Sequence, residues 1–278
     1  MRRLFITLLS LLAVGVAVAD NSDNNLVMKA VKSNMEFSSI SAGPLVKIFI
    51  EERTEGNIII RAPKDIIEFV ELKVEDGELC VGYKRDTEIS FNGKNRSTEQ
   101  VAEIYIPNNG KLCEFEVAAC STIDVKPAIK ANKIDIDCVG VASINLKGTA
   151  EKVDIAVKGA SNIDVDIVCT ELDCEVLGAA KARISGSATK AEFEILGAST
   201  LRASELKTSQ LEADISGAST ADICSESADI EASGASNANI ECTTKLTASA
   251  SGASTIRYSG DCSVNITRNS GASTIRKK

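Results

Sequence analysis

A Gly-Ala-Ser turn recurs over about the last 160 residues of the chain, and its regular spacing constrains the fold more than any single residue does. Successive copies begin about 19 residues apart, with gaps of 17 to 21 residues. A fixed period is typical of repeat proteins, in which each repeat buries its apolar side only by stacking on the next. The copies begin at Ala119, Gly140, Gly159, Gly178, Gly197, Gly217, Gly234, Gly252 and Gly271.

Two short runs of alternating polar and apolar residues flank each turn. Val153–Val157 is a run before a turn, and Asn162–Val165 is the run that follows it. Alternation with a period of two is typical of half-buried strands, and the three- and four-residue spacing of helical repeats is absent. The connectors carry one apolar residue each, such as Ile129, Ile167 or Leu206, which would define a third, shorter side. We therefore predict an all-β fold, a β-solenoid whose successive rungs pair through parallel strands.

The small residues of the turn have a structural explanation. Glycine adopts backbone angles that are closed to other residues and lets one rung approach the next, and alanine and serine are small enough to lie inside a corner. The residue after the serine is usually Thr or Asn, as at Thr200 and Asn237, and its side chain can bond to neighbouring backbone or form a ladder. We therefore interpret the turn as a structural element and not as a recognition motif.

The first third of the chain lacks this period. Met1–Ala19 is predicted to be a signal peptide, because two arginines precede an apolar stretch and a small-residue cleavage site. Residues 20–111, with strand-like runs such as Leu45–Ile50, are predicted to be a β-rich capping region that covers the first rung of the repeat β-helix at 112–278. The polar segment Lys84–Gln100 is predicted to be an exposed loop. We expect an exported protein in the periplasm, at the cell surface or outside the cell, with no membrane span in the mature chain.

Composition narrows the classes of partner. The formal net charge of −8 disfavours nucleic acid and anionic lipid, and the absence of Trp argues against a deep sugar-binding cleft. The nine cysteines leave two interpretations open. They either replace Val or Ala in the stacked core, which the near-regular spacing of Cys224, Cys242 and Cys262 favours, or they form disulfides. On the second interpretation, Cys224 and Cys242 are candidates for one pair.

The sequence contains no constellation that is specific for catalysis. It has no His, which removes His-activated nucleophiles and the commonest transition-metal ligand. It also has no glycine-rich loop of the kind that binds phosphate. We therefore predict no catalytic, cofactor-binding or metal-binding residues, and no cofactor.

Two columns of polar residues are predicted to point outward from the stacked strands. We favour a solvated surface for both. The first column changes sign along its length and could instead bind a charged glycan or a protein, whereas the second could hold Ca²⁺ or supply paired carboxylates for cleavage of a glycan. The first consists of Asp124, Asn145, Asp164, Arg183, Arg202, Asp222, Asn239, Arg257 and Arg276, and the second of Asp135, Asp154, Asp173, Glu192, Glu212 and Asp229.

The repeats resemble those of a known family. Gly-Ala-Ser-Asn-Ile-Asp-Val at Gly159–Val165 and Gly-Val-Ala-Ser-Ile-Asn-Leu at Gly140–Leu146 are similar to the GIN repeats of the putative auto-transporter adhesin head domain family. Phe37–Gly43 and Val46–Ile50 resemble the start of that domain, and the resemblance covers Met35–Lys278. It implies a right-handed parallel β-helix, a single-stranded and pectin-lyase-like β-solenoid without the catalytic residues of the lyases. It also implies a secreted or surface protein of Bacteroidetes-type bacteria with a role in cell adhesion.

These features favour a non-enzymatic, adhesin-like protein that presents a β-helix surface to a surface protein or a glycan, and not to nucleic acid. Two alternatives from other classes stay open: a carbohydrate-active lyase or hydrolase on the same scaffold, and a structural protein of the cell envelope. The sequence leaves the oligomeric state undecided.

Overall fold

The chain forms an all-β fold, a β-solenoid of about nine turns, which confirms the prediction from the repeat. The computed structural model describes residues 26–32, 37–84 and 101–278. The predicted signal peptide, Met1–Ala19, and residues 85–100 of the predicted loop lie outside these ranges. Within them, one short 3-10 helix, Ile67–Phe69, is the only helical element. The structure divides into two compact units, with the boundary between Pro127 and Ala128.

The described part of unit 1 is built from short strands whose inward residues alternate with outward ones. Strand β3, for example, buries Val46, Ile48 and Ile50 completely. The strands are β1 (Leu26–Val31), β2 (Ser39–Ala42), β3 (Val46–Glu51), β4 (Ile58–Pro63), β5 (Val70–Glu75), β6 (Glu78–Tyr83), β7 (Ala102–Pro107), β8 (Glu114–Ala118) and β9 (Thr122–Val125).

Parallel pairing in unit 1 does not follow the order of the chain. Strand β2 lies between β6 and β8, and β3 lies between β7 and β9, all in parallel register. Antiparallel strands continue both layers, since β5 pairs with β6, β4 pairs with β7, and β1 pairs with β4. The antiparallel strands thereby occupy the edges of β6 and β7, which would otherwise be open to pairing with other chains.

Unit 2 contains the regular repeats, and its strands become longer in the middle of the series. Strands β14 to β16 continue from one turn to the next, so the connectors are part of the strands. The strands are β10 (Ile129–Lys130), β11 (Lys133–Gly140), β12 (Ser143–Thr149), β13 (Lys152–Gly159), β14 (Asn162–Gly178), β15 (Lys181–Gly197), β16 (Thr200–Ile215), β17 (Thr220–Ala232), β18 (Asn237–Ala250), β19 (Thr255–Ser259), β20 (Ser263–Asn269) and β21 (Thr274–Lys277).

The parallel register of unit 2 places equivalent residues of successive rungs side by side. Gly140 pairs with Gly159, Gly159 with Gly178, and Gly178 with Gly197. Backbone hydrogen bonds continue through the corner, where the amide of Ala218 donates to the carbonyl oxygen of Gly197 at 2.7 Å. The corner is therefore part of the hydrogen-bonded ladder and not a loose loop.

Inward side chains form the stacked core that the alternation predicted. Ile144 lies beside Ile163, and both are buried. On the third side, Ile167 lies between Gly148 and Gly186, so a large side chain alternates with glycines. A Cβ atom on Gly186 would lie 1.9 Å from the carbonyl oxygen of Ile167, at a backbone φ of +107°, so only glycine fits there. Burial of these apolar columns is the main stabilising contribution to such a fold.

Most turns carry a buried serine at the third position, and its hydroxyl donates to backbone carbonyls. Alanine takes this place at Ala142 and Ala180, and Ser273 is only half-buried. Ser219 is completely buried, and its hydroxyl donates to the carbonyl oxygen of Ser216 at 2.8 Å and to that of Gly197 on the preceding rung at 3.2 Å. Ser254 repeats the arrangement, with the carbonyl oxygens of Ser251 and Ala232 as acceptors. The hydroxyl therefore ties the corner to its own strand and to the preceding rung.

Replacing Ser219 with Ala is expected to lower the free energy of unfolding by about 1 kcal/mol, the usual net contribution of one intramolecular hydrogen bond. Urea denaturation followed by circular dichroism measures the change. Ser233→Ala is the matched control, because the half-buried hydroxyl of Ser233 has no hydrogen-bond partner among the described residues. Equal shifts of the midpoint in the two variants would contradict a special role for the turn serine.

Candidate functional site

The register of unit 2 assembles the first predicted polar column on the strand segments that follow the turns, which we call the post-turn face. Each residue pairs with the next along the series, from Asn145 to Arg276. Asp124, the first residue of the predicted column, belongs to unit 1 and pairs with Phe49. The members in unit 2 are Asn145, Asp164, Arg183, Arg202, Asp222, Asn239, Arg257 and Arg276.

The second predicted column forms on the strand segments before the turns, which we call the pre-turn face. Its six acidic residues pair in sequence from Asp135 to Asp229, as predicted. Lysines alongside them were missed by the sequence reasoning. The Lys133 amino group bonds to Asp135 and lies 2.7 Å from a carboxylate oxygen of Asp154, and Lys152 lies 3.2 Å from Asp154 and 2.7 Å from Asp173. The signal was present in the sequence, because each lysine precedes its acidic residue by two positions on the same face.

The two lysines hold Asp154 in its charged form. Burial raises the pKa of Asp154, but hydrogen bonds from Lys133 and Lys152 outweigh that effect and bring the pKa below its usual value. The same contacts raise the pKa of Lys133, chiefly through Asp135 and then Asp154. A general acid in glycan cleavage needs a raised carboxyl pKa. The pKa of Asp154 is lowered instead, so this carboxylate is suited to an ion pair with the lysines and not to proton donation.

Further along the pre-turn face the acidic side chains are more exposed. Glu192, Glu212 and Asp229 are exposed and form no ion pair with any described residue. Across the described ranges, no group of three or more His, Cys, Asp or Glu side chains is arranged to hold a metal ion.

The post-turn face carries its own pattern of charge. The guanidinium of Arg183 lies 2.8 Å from a carboxylate oxygen of Glu205, and the amide of Asn239 donates to Asp222 at 2.8 Å. Arg202, Arg257 and Arg276 form no ion pair with any part of the chain that the structure describes. Two residues before these arginines, the side chains of Thr200, Thr255 and Thr274 lie on the same face.

The cysteines follow the core interpretation only in part. All nine are free thiols, and Cys138, Cys174 and Cys242 are buried in the core. The suggested pair Cys224–Cys242 is wrong, because Cys224 pairs with Glu241 and Cys242 pairs with Ser225. The two thiols therefore lie on opposite faces of the layer, since neighbouring residues of a strand point in opposite directions. Burial raises the pKa of the Cys138 thiol to about 11, which makes it unreactive at neutral pH.

An acidic cluster in unit 1 arises from the pairing of strands that are distant in sequence. Ser39 of β2 pairs with both Glu78 and Glu114, and Ser41 bonds to Glu116 at 3.0 Å. Burial raises the pKa of Glu78, and the charges of Glu116 and Glu114 raise it further. Sequence reasoning could not find this cluster, because the insertion of β2 between β6 and β8 has no local signal.

Glu78→Gln is expected to raise the melting temperature at pH 7 and to have a smaller effect at about pH 4. The folded pKa of Glu78 lies above its ordinary value of 4.5, so the favourable contribution of the protonated form is present at low pH and is lost as pH rises through the folded pKa. Glutamine resembles the protonated glutamate in shape and is uncharged at both pH values. Differential scanning calorimetry at the two pH values measures the difference, with Glu55→Gln as the control for loss of an exposed carboxylate. A larger gain at pH 4 than at pH 7 would contradict the assignment.

The outward face of unit 1 also carries an aromatic pair. The rings of Phe49 and Tyr105 stack with centroids 5.0 Å apart, and the Tyr105 hydroxyl donates to Glu103 at 2.9 Å. Arg61 binds the same carboxylate at 3.3 Å. The low aromatic content argued against a deep cleft, and this pair lies instead on the outward side of a β-layer.

The parallel rungs with outward polar columns define the class of the protein as a β-solenoid. A family model described as "Putative auto-transporter adhesin, head GIN domain" matches residues 36–228, so the chain belongs to this family. No curated protein matches the sequence. In the described residues, no helix has the length and apolar character needed to cross a membrane.

Solved structures share the fold at low sequence identity. A putative adhesin from Parabacteroides distasonis is 17% identical, with a TM-score of 0.70 and coverage of 91% of this chain and 98% of the other. A putative adhesin from Parabacteroides merdae is 19% identical, with a TM-score of 0.69 and coverage of 92% and 97%. A structure named putative lipid binding protein, also from Parabacteroides distasonis, is 16% identical, with a TM-score of 0.67 and coverage of 92% and 98%. At these identities the likeness shows the fold alone.

Proposed function

We propose that the chain is an exported, non-enzymatic, adhesin-like protein that binds a surface protein or a glycan through the outward side of its solenoid. The observation that carries this proposal is the post-turn face of unit 2. There, hydroxyl, amide and guanidinium groups recur on successive parallel strands, which are about 4.8 Å apart. A row of polar side chains of this kind, in which Asp164 and Asp222 lie among the donors, suits an extended partner that lies across many rungs.

Two further observations support this reading over a carbohydrate-active enzyme. The family and two of the similar structures carry adhesin names. On the pre-turn face, Asp154 is kept ionised by two lysines, whereas cleavage of a glycan needs one carboxyl that stays protonated. The acidic column is thus better suited to a solvated, charge-balanced surface than to catalysis.

Binding to arrays of glycans and of surface proteins tests the proposal with the purified chain. We expect at least one ligand on the arrays to retain the chain. If that ligand is a glycan, we expect its size distribution to stay unchanged after incubation with the protein. Shortening of the glycan that disappears in Asp154→Asn would overturn the non-enzymatic reading. Concentration-dependent growth of particles in light scattering, together with no retention on any array, would favour a structural envelope protein instead.

A further inference from the structure

We propose that the partner of the post-turn face is a linear anionic polysaccharide, bound along a column of four arginines: Arg183, Arg202, Arg257 and Arg276. This inference rests on the proposed function and specifies the chemistry of the partner. We call these four residues the arginine column. Its members lie on one strip of unit 2, because the register connects Arg183 to Arg202 directly, and Arg257 to Arg276 directly.

The arginines form two pairs that are separated by two rungs. Asp222 and Asn239 occupy the intervening positions. With a strand spacing of about 4.8 Å, members of a pair are about 5 Å apart, the inner members are about 14 Å apart, and the column spans about 24 Å. A polymer with regularly placed anionic groups can contact both pairs at once, and its second contact gains from the high effective concentration that the first provides.

Three of the four guanidinium groups are available for a ligand. Arg202, Arg257 and Arg276 form no ion pair with a described residue, and only Arg183 has a carboxylate partner, Glu205. Asp222 lies beside Arg202 in the register and accepts a hydrogen bond from the neutral amide of Asn239, so an anionic polymer contacts the arginines on either side of this gap. Guanidinium groups bind carboxylates and other oxyanions through two parallel hydrogen bonds, so the unpaired arginines select an anion.

Most of the acidic residues of unit 2 lie away from the arginine column, although Asp164, Asp222 and Glu241 are carboxylates within or beside it. The acidic residues of unit 2 are concentrated on the pre-turn face, where the columns through Asp173 and Glu175 continue into further acidic residues. Charges are screened over about 8 Å at physiological ionic strength, so an anion on the arginine column responds chiefly to the nearest side chains.

The neighbouring side chains suit a polysaccharide better than a nucleic acid. Thr200, Thr255 and Thr274 place hydroxyl groups beside Arg202, Arg257 and Arg276. These hydroxyls can bond to sugar hydroxyls between the anionic groups. Single-stranded nucleic acid is usually held by aromatic stacking, and the post-turn face has no outward aromatic residue, because Tyr258 occupies the inward position next to Ile240.

Biolayer interferometry with the full chain tests the inference on four immobilised probes: dextran sulfate, hyaluronan, uncharged dextran and single-stranded DNA. We expect binding to one or both anionic polysaccharides, weakening with added salt, and none to dextran; the first two probes separate sulfate from carboxylate recognition. The double variant Arg257→Gln and Arg276→Gln should bind about tenfold more weakly or worse, because a hydrogen bond from a charged group contributes about a factor of ten or more to affinity.

The matched control removes two positive charges from the pre-turn face through Lys158→Gln and Lys190→Gln, and should change the affinity less than about twofold. Melting temperatures verify folding of both double variants, and Arg276→Gln alone, on the exposed strand β21, serves if the pair unfolds. Equal losses in test and control, equal binding to dextran, or tighter binding to single-stranded DNA than to dextran sulfate would overturn the inference. If the chain is retained on the glycan and protein arrays only by neutral ligands, the inference about an anionic polysaccharide is refuted and the proposed function stands. If no ligand on the arrays retains the chain, the result contradicts both.

Discussion

Replacing Gly197 with Val is expected to destabilise unit 2 by about 3–5 kcal/mol, the combined size of a strained backbone conformation and an overpacked contact. Gly197 has a φ of +95°, a conformation that a β-branched residue adopts only with strain. A Cβ atom there would lie 2.5 Å from the carbonyl oxygen of Gly178 on the preceding rung. The neighbour cannot yield easily, because that oxygen accepts a hydrogen bond from the amide of Ala198 at 2.7 Å.

Urea denaturation monitored by circular dichroism measures the loss as a lower midpoint. Two controls separate its causes. Ala198→Val places the same valine side chain at the next, exposed position of the turn. Gly77→Val tests a positive φ of 84° where a Cβ atom would have no neighbour within 4 Å. We expect both controls to lower the urea midpoint less than Gly197→Val does, and an unchanged midpoint in Gly197→Val would refute the account of the corner.

The repeat part of the fold was predictable because each of its rules is local. Alternation in a run such as Val153–Val157 determines which side chains are buried, and the recurring glycine determines where each corner lies. Once equivalent positions are aligned, the parallel register follows, and pairs such as Asp154 with Asp173 were predicted correctly. The suggested Cys224–Cys242 bond failed on the same rule, since 18 residues separate these cysteines while the strands place Ser225, 17 residues away, beside Cys242.

Unit 1 was less predictable because its pairing is not sequential. Nothing in the segment Ser39–Ala42 indicates that it lies between β6 and β8, so the cluster around Glu78 could not be foreseen. The candidate site was predictable only as columns of residues. Which charges are neutralised depends on the reach of individual side chains, such as Lys152 to Asp173 or Arg183 to Glu205.

Phe193→Ala is expected to lower the free energy of unfolding by about 3–5 kcal/mol, the usual cost of removing a buried aromatic side chain. Phe193 is 1% exposed, and it is stacked between the small side chains of Cys174 and Ala213. Neither neighbour can fill the space that the ring leaves. The hydrogen-bonded ladder fixes the distance between rungs, so the cavity cannot close by a shift of the strands.

The same denaturation experiment measures the effect, with Leu196→Ala as the matched control, because Leu196 is 44% exposed on the same strand. Phe193→Leu should cost less than Phe193→Ala, since it leaves a smaller cavity. Because each rung is buried by its neighbours, Phe193→Ala should also speed amide hydrogen exchange in β14 and β16, the strands on either side of β15. Midpoints that are equal in Phe193→Ala and Leu196→Ala would mean that the stacked column contributes no more to stability than an exposed side chain.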